Sequence, residues 1–201
     1  MDEPAKRTFN ELKRLKIETS IEYMFQLHQV MRDTQVTSTL GLGDDADDWQ
    51  HFSLDHSVDF VIELLKKRIL IEKKRLMIVG NGGSAAMATH MLMDYINVGG
   101  IRTMDFTSPA LLSCMANDYG WENVFAVPIK KLADQRDVLF AISSSGQSKN
   151  ILNACDAAIE RECAVVTFCG MRLDNPLRRK GILNFYIPST HYWFIEMVHE
   201  T

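Results

Sequence analysis

The sequence predicts an α/β fold, a three-layer α/β/α domain on a parallel sheet with helices at its N-terminal end. Two apolar runs of strand length, 76–79 and 138–142, each feed a short loop that opens a segment of helical spacing. From Arg75 onward strand-length runs alternate with helix-period segments, the pattern of a parallel sheet covered on both faces. Upstream of Arg75 the apolar residues recur mostly at spacings of three and four, which is helical.

In chain order, Leu12, Leu15, Ile17, Ile21, Met24, Phe25 and Leu27 mark the first helical stretch. A polar stretch with Gly41, Gly43 and the acidic run Asp44-Asp45-Ala46-Asp47-Asp48 reads as an exposed loop, because clustered acids repel and bury poorly. Helical spacing resumes through Val58, Val61, Ile62, Leu64, Leu65 and Ile69. Strands are then expected at 76–79, 103–106, 138–142, 164–168 and 184–187, and helices at 84–97, 109–117, 149–162 and 175–180. No repeat or low-complexity linker divides the chain. It reads as one domain over 1–201, with a helical part at about 1–74 and an α/β core at about 75–201.

A net charge of −4 argues against broad nucleic-acid binding, which calls for a basic surface. The clusters Lys66-Lys67-Arg68 and Arg178-Arg179-Lys180 read as solvated helix faces. Cys114, Cys155, Cys163 and Cys169 form no CxxC pair and read as reduced, mostly buried thiols. No apolar run follows the charged start, and none approaches the about 20 residues that span a bilayer. A cytoplasmic protein without membrane partners is the expectation.

Two loops carry the chemistry. Gly80-Asn81-Gly82-Gly83-Ser84 joins strand to helix, where the first helical N–H groups and the dipole face an anion. It lacks the third glycine of a dinucleotide fingerprint and the GK[ST] of a nucleotide P-loop, and by itself it is also a plain tight connection. The second loop, Ser143-Ser144-Ser145-Gly146-Gln147-Ser148, sets four hydroxyls beside another helix start. One serine suffices as a cap, so the other three suggest a neutral cradle for a phosphate monoester. A small phosphorylated, hydroxyl-rich ligand such as a sugar phosphate fits both loops.

His90 and Asp94 lie four apart on the helix after the first loop, able to hold a metal, move protons or simply bond each other. Glu196 and His199, three apart, form a second pair whose plain reading is a solvated helix face. Asn117-Asp118 before Tyr119-Gly120 reads as a helix stop or as polar groups offered to a ligand hydroxyl. Asp105 is the one candidate for a ribose-binding acid, and a nucleotide-binding reading is correspondingly poor.

Together these residues resemble the sugar isomerase (SIS) family, and within it the phosphoheptose isomerases, from roughly Ser57 to the C-terminus. The resemblance implies a flavodoxin-like domain, a homotetramer with active sites at subunit interfaces, and conversion of sedoheptulose 7-phosphate to D-glycero-D-manno-heptose 7-phosphate for surface-polysaccharide heptose. It assigns Asn81, Gly82, Gly83, Ser84, Asn117, Asp118, Ser143, Ser144, Ser145 and Ser148 to substrate binding. It assigns Asp94 and Glu196 to catalysis, where many members carry glutamate and glutamine, and His90, Asp94 and Glu196 to a zinc ion. The family's general-acid histidine falls about two helical turns past Glu196, beyond Thr201, and His199 is too early to match it. The alternative is a non-catalytic sugar-phosphate-binding or protein-assembly module on the same fold.

Overall fold

The computed structural model describes Ile17, residues 19–38 and residues 50–201. Leu12, Leu15, Gly41, Gly43 and the acidic run 44–48 lie outside the described residues. Helix α1, Ser20–Arg32, starts on a capping box: Glu22 N–H donates to Thr19 Oγ1 and Thr19 N–H to Glu22 Oε2. Next come β1 (Gln35–Ser38), β2 (Gln50–Phe52) and α2 (Leu54–Leu65), which Ser53 caps and which widens into π-helical turns over Lys66–Ile71.

The core then alternates β3 (Leu76–Val79), α3 (Gly83–Asn97), β4 (Thr103–Asp105) and α4 (Pro109–Tyr119). It continues with α5 (Ala126–Leu132), β5 (Val138–Ser143) and α6 (Lys149–Glu160). It closes with β6 (Ala164–Gly170), β7 (Leu183–Ile187) and α7 (Tyr192–Glu200). The sheet order is β2-β1-β7-β6-β5-β3-β4, with β4-β3-β5-β6-β7 all parallel. That parallel order is the flavodoxin-like one.

Both faces of the sheet are covered, which is why the central strands are apolar throughout rather than alternating. Met77, Val79, Leu139 and Ala141 face one core with Phe125, Ile129, Ile151 and Ala154 from α5, α6 and the turn before α5. Leu76, Ile78, Val138, Phe140 and Ile142 face the other, with Leu65, Met87 and Ala88 from α2 and α3.

Four features depart from the sequence reading. The part at 1–74 is not helical throughout: β1 pairs antiparallel with β7, and β2 with β1, extending the sheet at one edge. Helix α5 was not expected, because seven residues hold too little periodicity to register, and Pro128 sits in its first turn, where proline is tolerated. The segment 175–180 is a 3₁₀ turn, Pro176–Arg179, capped by Asn175. Within it Arg178 is 1% exposed, not solvated: its guanidinium lies 4.3 Å from the Tyr186 ring centroid and donates to Leu173 O. Lys66 and Lys67 are exposed as expected, but Arg68 of the same cluster is half-buried and pairs with Glu72 at 3.4 Å.

Candidate active site

In an open α/β sheet, ligands gather outside the carboxyl ends of the strands where the strand order reverses. Here that point lies between β3 and β5, and the glycine and serine loops leave the sheet there side by side. They line a cavity of about 300 Å³ together with Tyr192 and Glu196 of α7.

The glycine loop needs its glycines for two separate reasons. Gly82 caps α3 at φ 55° and ψ −122°, a conformation that a side chain disfavours. Gly83 leaves room for a neighbour: a Cβ there would lie 2.6 Å from Glu196 Oε1. The Glu196 carboxylate therefore rests on the first residue of α3, and desolvation by burial holds its pKa above the ordinary glutamate range.

In the serine loop, Gly146 N–H donates to Ser143 O and Gln147 N–H to Ser145 Oγ, while Ser143 Oγ donates to Ser148 Oγ at 3.4 Å. Ser148 is the N-cap residue of α6, yet its side chain makes no capping bond. Helix capping therefore does not account for the cluster. Ser144 Oγ is buried with no hydrogen-bond partner among the described residues, a donor held ready in a place where an unmet polar group is costly.

The carboxamides of Asn81 and Asn150 bond each other in both directions and tie the two loops together. Asn150 and Tyr192 escaped the sequence reading. For Tyr192 a signal existed, since it stands four residues before Glu196 and shares its helix face.

The cavity thus unites Asn81, Gly82, Gly83, Ser84, Ser143, Ser144, Ser145, Ser148 and Glu196. It does not include Asn117 and Asp118, which are exposed in the last turn of α4 and bond each other through Asn117 Nδ2 and Asp118 Oδ1. His90 and Asp94 also stand apart, two and three turns along α3 and about half-exposed. His90 Nδ1 bonds Glu200 Oε1 at 2.9 Å, and its Nε2 lies 3.7 Å from Asp94 Oδ2. His199 is buried, not on a solvated face. Its Nε2 reaches Cys169 O, and burial pushes its pKa down to about 4.

Among the described residues no three His, Cys, Asp or Glu side chains converge on a metal-sized space. His90 is engaged by Glu200, and Glu196 rests on Gly83 at the start of α3, two turns before His90. The set His90, Asp94 and Glu196 therefore does not fit a zinc ion within one chain, and no chemical step is assigned to one.

A family model described as the SIS domain matches residues 50–170. This chain belongs to the SIS-domain family. Its relatives include the phosphoheptose isomerase of Nitratiruptor sp., 38% identical over 117 residues, or 54% of this chain and 59% of that one. The phosphoheptose isomerase of Thermodesulfovibrio yellowstonii is 31% identical over 147 residues, or 70% of this chain and 72% of that one. Against several other curated relatives the SIS-domain chain spans only 52–66% of their length. The fold matches phosphoheptose isomerase structures from Francisella tularensis (TM-score 0.73, 21% identity, 90% of this chain and 92% of that one) and Neisseria gonorrhoeae (TM-score 0.67, 23%, 98% and 91%).

Proposed function

We propose that this SIS-domain protein is an aldose–ketose isomerase that converts sedoheptulose 7-phosphate to D-glycero-D-manno-heptose 7-phosphate through an enediol. One observation carries the reading. A neutral, hydroxyl-rich loop with the unpartnered Ser144 Oγ shares a cavity with a desolvated carboxylate, Glu196. The serine hydroxyls and the start of α6 anchor the phosphate, so that binding energy remote from the chemistry positions the carbonyl end. A carboxylate base then takes a proton from C1 of the ketose. The C2 carbonyl oxygen gains a proton to give the enediol, and return of a proton to C2 with loss of the O1 proton gives the aldose.

Glu196 is the carboxylate in this cavity, and partial burial raises its pKa above the ordinary glutamate range, which makes it a stronger base. Asp94 would take that role only in a site completed by a second copy of the chain. The resemblance to a family with interfacial sites and tetrameric assembly favours such a homotetramer. Exposed Ile21, Phe25 and Phe60 on α1 and α2 would supply apolar contact area for it. A cytoplasmic location and a product destined for surface polysaccharide complete the proposal. No helix among the described residues is long and apolar enough to cross a membrane.

The test is turnover of sedoheptulose 7-phosphate followed by appearance of the aldose, with and without added zinc. Glu196→Gln should lower kcat by about 100-fold or more. The acid limb of the pH profile should lie above the ordinary glutamate range and vanish in this variant. If Asp94→Asn alone abolishes turnover, the base belongs to the second site. Thermal stabilisation by the sugar phosphate with no product would leave the non-catalytic binding module as the function.

A further inference from the structure

We propose that Tyr192 is a specificity-determining residue, an aromatic wall at the cavity mouth that packs on the hydroxylated carbon chain of the ligand. The proposal rests on the sugar-phosphate reading of this cavity and adds what the serine loop cannot supply, recognition of the part beyond the phosphate.

The placement follows from how α7 runs along α3. Glu196 lies on Gly83, the first residue of α3, and Glu200 bonds His90 two turns further on. Both helices therefore advance together, away from the strand ends. One turn back from Glu196 brings the chain to Tyr192, the first residue of α7, which lines the cavity and is half-exposed. Tyr192 and Glu196 share a helix face by their spacing of four, and both line the cavity.

The ring is available for this use. Tyr192 is 55% exposed, although α7 buries the neighbouring Phe194 and Ile195 completely. Trp193 stacks on His191 and Phe194 on Tyr23, whereas the Tyr192 ring takes part in no stacking contact among the described residues. Among the described residues that line the cavity, Tyr192 is the aromatic one, and Ile142, the other large apolar side chain there, is 1% exposed. The C–H faces of a polyol chain pack on such a ring, and its hydroxyl can donate to or accept from a sugar hydroxyl.

The experiment compares binding of sedoheptulose 7-phosphate and inorganic phosphate to wild type, Tyr192→Ala and Tyr192→Phe, by calorimetry or ligand-induced shifts in Tm. The exposed position makes both variants compatible with folding. Tyr192→Ala should weaken the sugar phosphate by roughly five- to tenfold while leaving inorganic phosphate unchanged. Tyr192→Phe should recover most of the loss, because the ring face carries it. In turnover, the Ala variant should raise KM by the same factor with kcat nearly intact. Unchanged affinity for both ligands overturns the proposal, and so does an equal loss for both, which would mark a structural role. Because binding is read without turnover, an inactive wild type would defeat the isomerase reading while the comparison of the two ligands still decides Tyr192.

Discussion

Asn81 and Asn150 exchange hydrogen bonds, Asn81 Nδ2 to Asn150 Oδ1 at 2.9 Å and Asn150 Nδ2 to Asn81 Oδ1 at 2.8 Å. One stands in the glycine loop after β3 and the other in the first turn of α6, so the pair sets the distance between the two walls of the cavity. Asn150 is 2% exposed, and its amide has little access to water as a substitute. The family resemblance assigns Asn81 to substrate, but in this chain its side chain is first a clamp.

Asn150→Asp keeps the shape but sets a carboxylate oxygen against Asn81 Oδ1. It should destabilise the fold by about 1–3 kcal/mol, the cost of an unmet buried acceptor. Thermal melts should register a loss of about 2–4 °C per kcal/mol for a domain of this size. Sugar-phosphate affinity should fall as well, since the added charge lies beside the serine loop.

Gly83→Ala separates packing from helix propensity. In wild type the new Cβ would collide with the Glu196 carboxylate, displacing it and lowering turnover. On a Glu196→Ala background the collision is gone, and alanine should stabilise by up to about 1 kcal/mol over glycine. A double-mutant cycle in urea would measure the coupling, and additive effects would contradict the contact.

Ser144→Ala removes a hydroxyl that has no partner among the described residues. Its Tm should be unchanged or slightly higher, because no hydrogen bond is lost on truncation. Affinity for the sugar phosphate should drop by about 10- to 100-fold, the worth of one hydrogen bond to a charged group. A substantial loss of Tm without loss of affinity would show the hydroxyl to be structural.

His199 makes stability depend on pH. Burial depresses its pKa from 6.5 to about 4, so the folded state holds it neutral while the unfolded chain protonates it. The contribution is complete above pH 6.5 and is lost as pH falls towards 4, on the order of 3 kcal/mol over that window. Replacing His199 with leucine should flatten this slope in denaturant titrations at pH 4.5 and 7.

The local signals in the sequence were strong where one segment settles its own structure. The β3–loop–α3 and β5–loop–α6 units were legible because apolar runs, glycines or serines, and a helix start follow one another along the chain. The family was legible for the same reason, since its residues cluster in those loops. The β1–β2 edge was not, because it is held by pairing with β7, almost 150 residues away. Arg178 looked like part of a solvated run, but the partner that removes it from water, Tyr186, comes from the next strand.

The same division runs through the site. The glycine and serine loops, their hydroxyls and the carboxylate candidates are legible along the chain, because turn chemistry and helix spacing are local properties. Which of them meet is a matter of tertiary packing. It set Glu196 on Gly83 beside the serine loop, joined Asn81 to Asn150, gave His90 to Glu200, and left Asn117 and Asp118 outside the cavity. Contacts of that kind depend on how α7 and the two loops converge on the ends of β3 and β5. That convergence comes from burying both faces of one sheet, and no single stretch of the chain contains it.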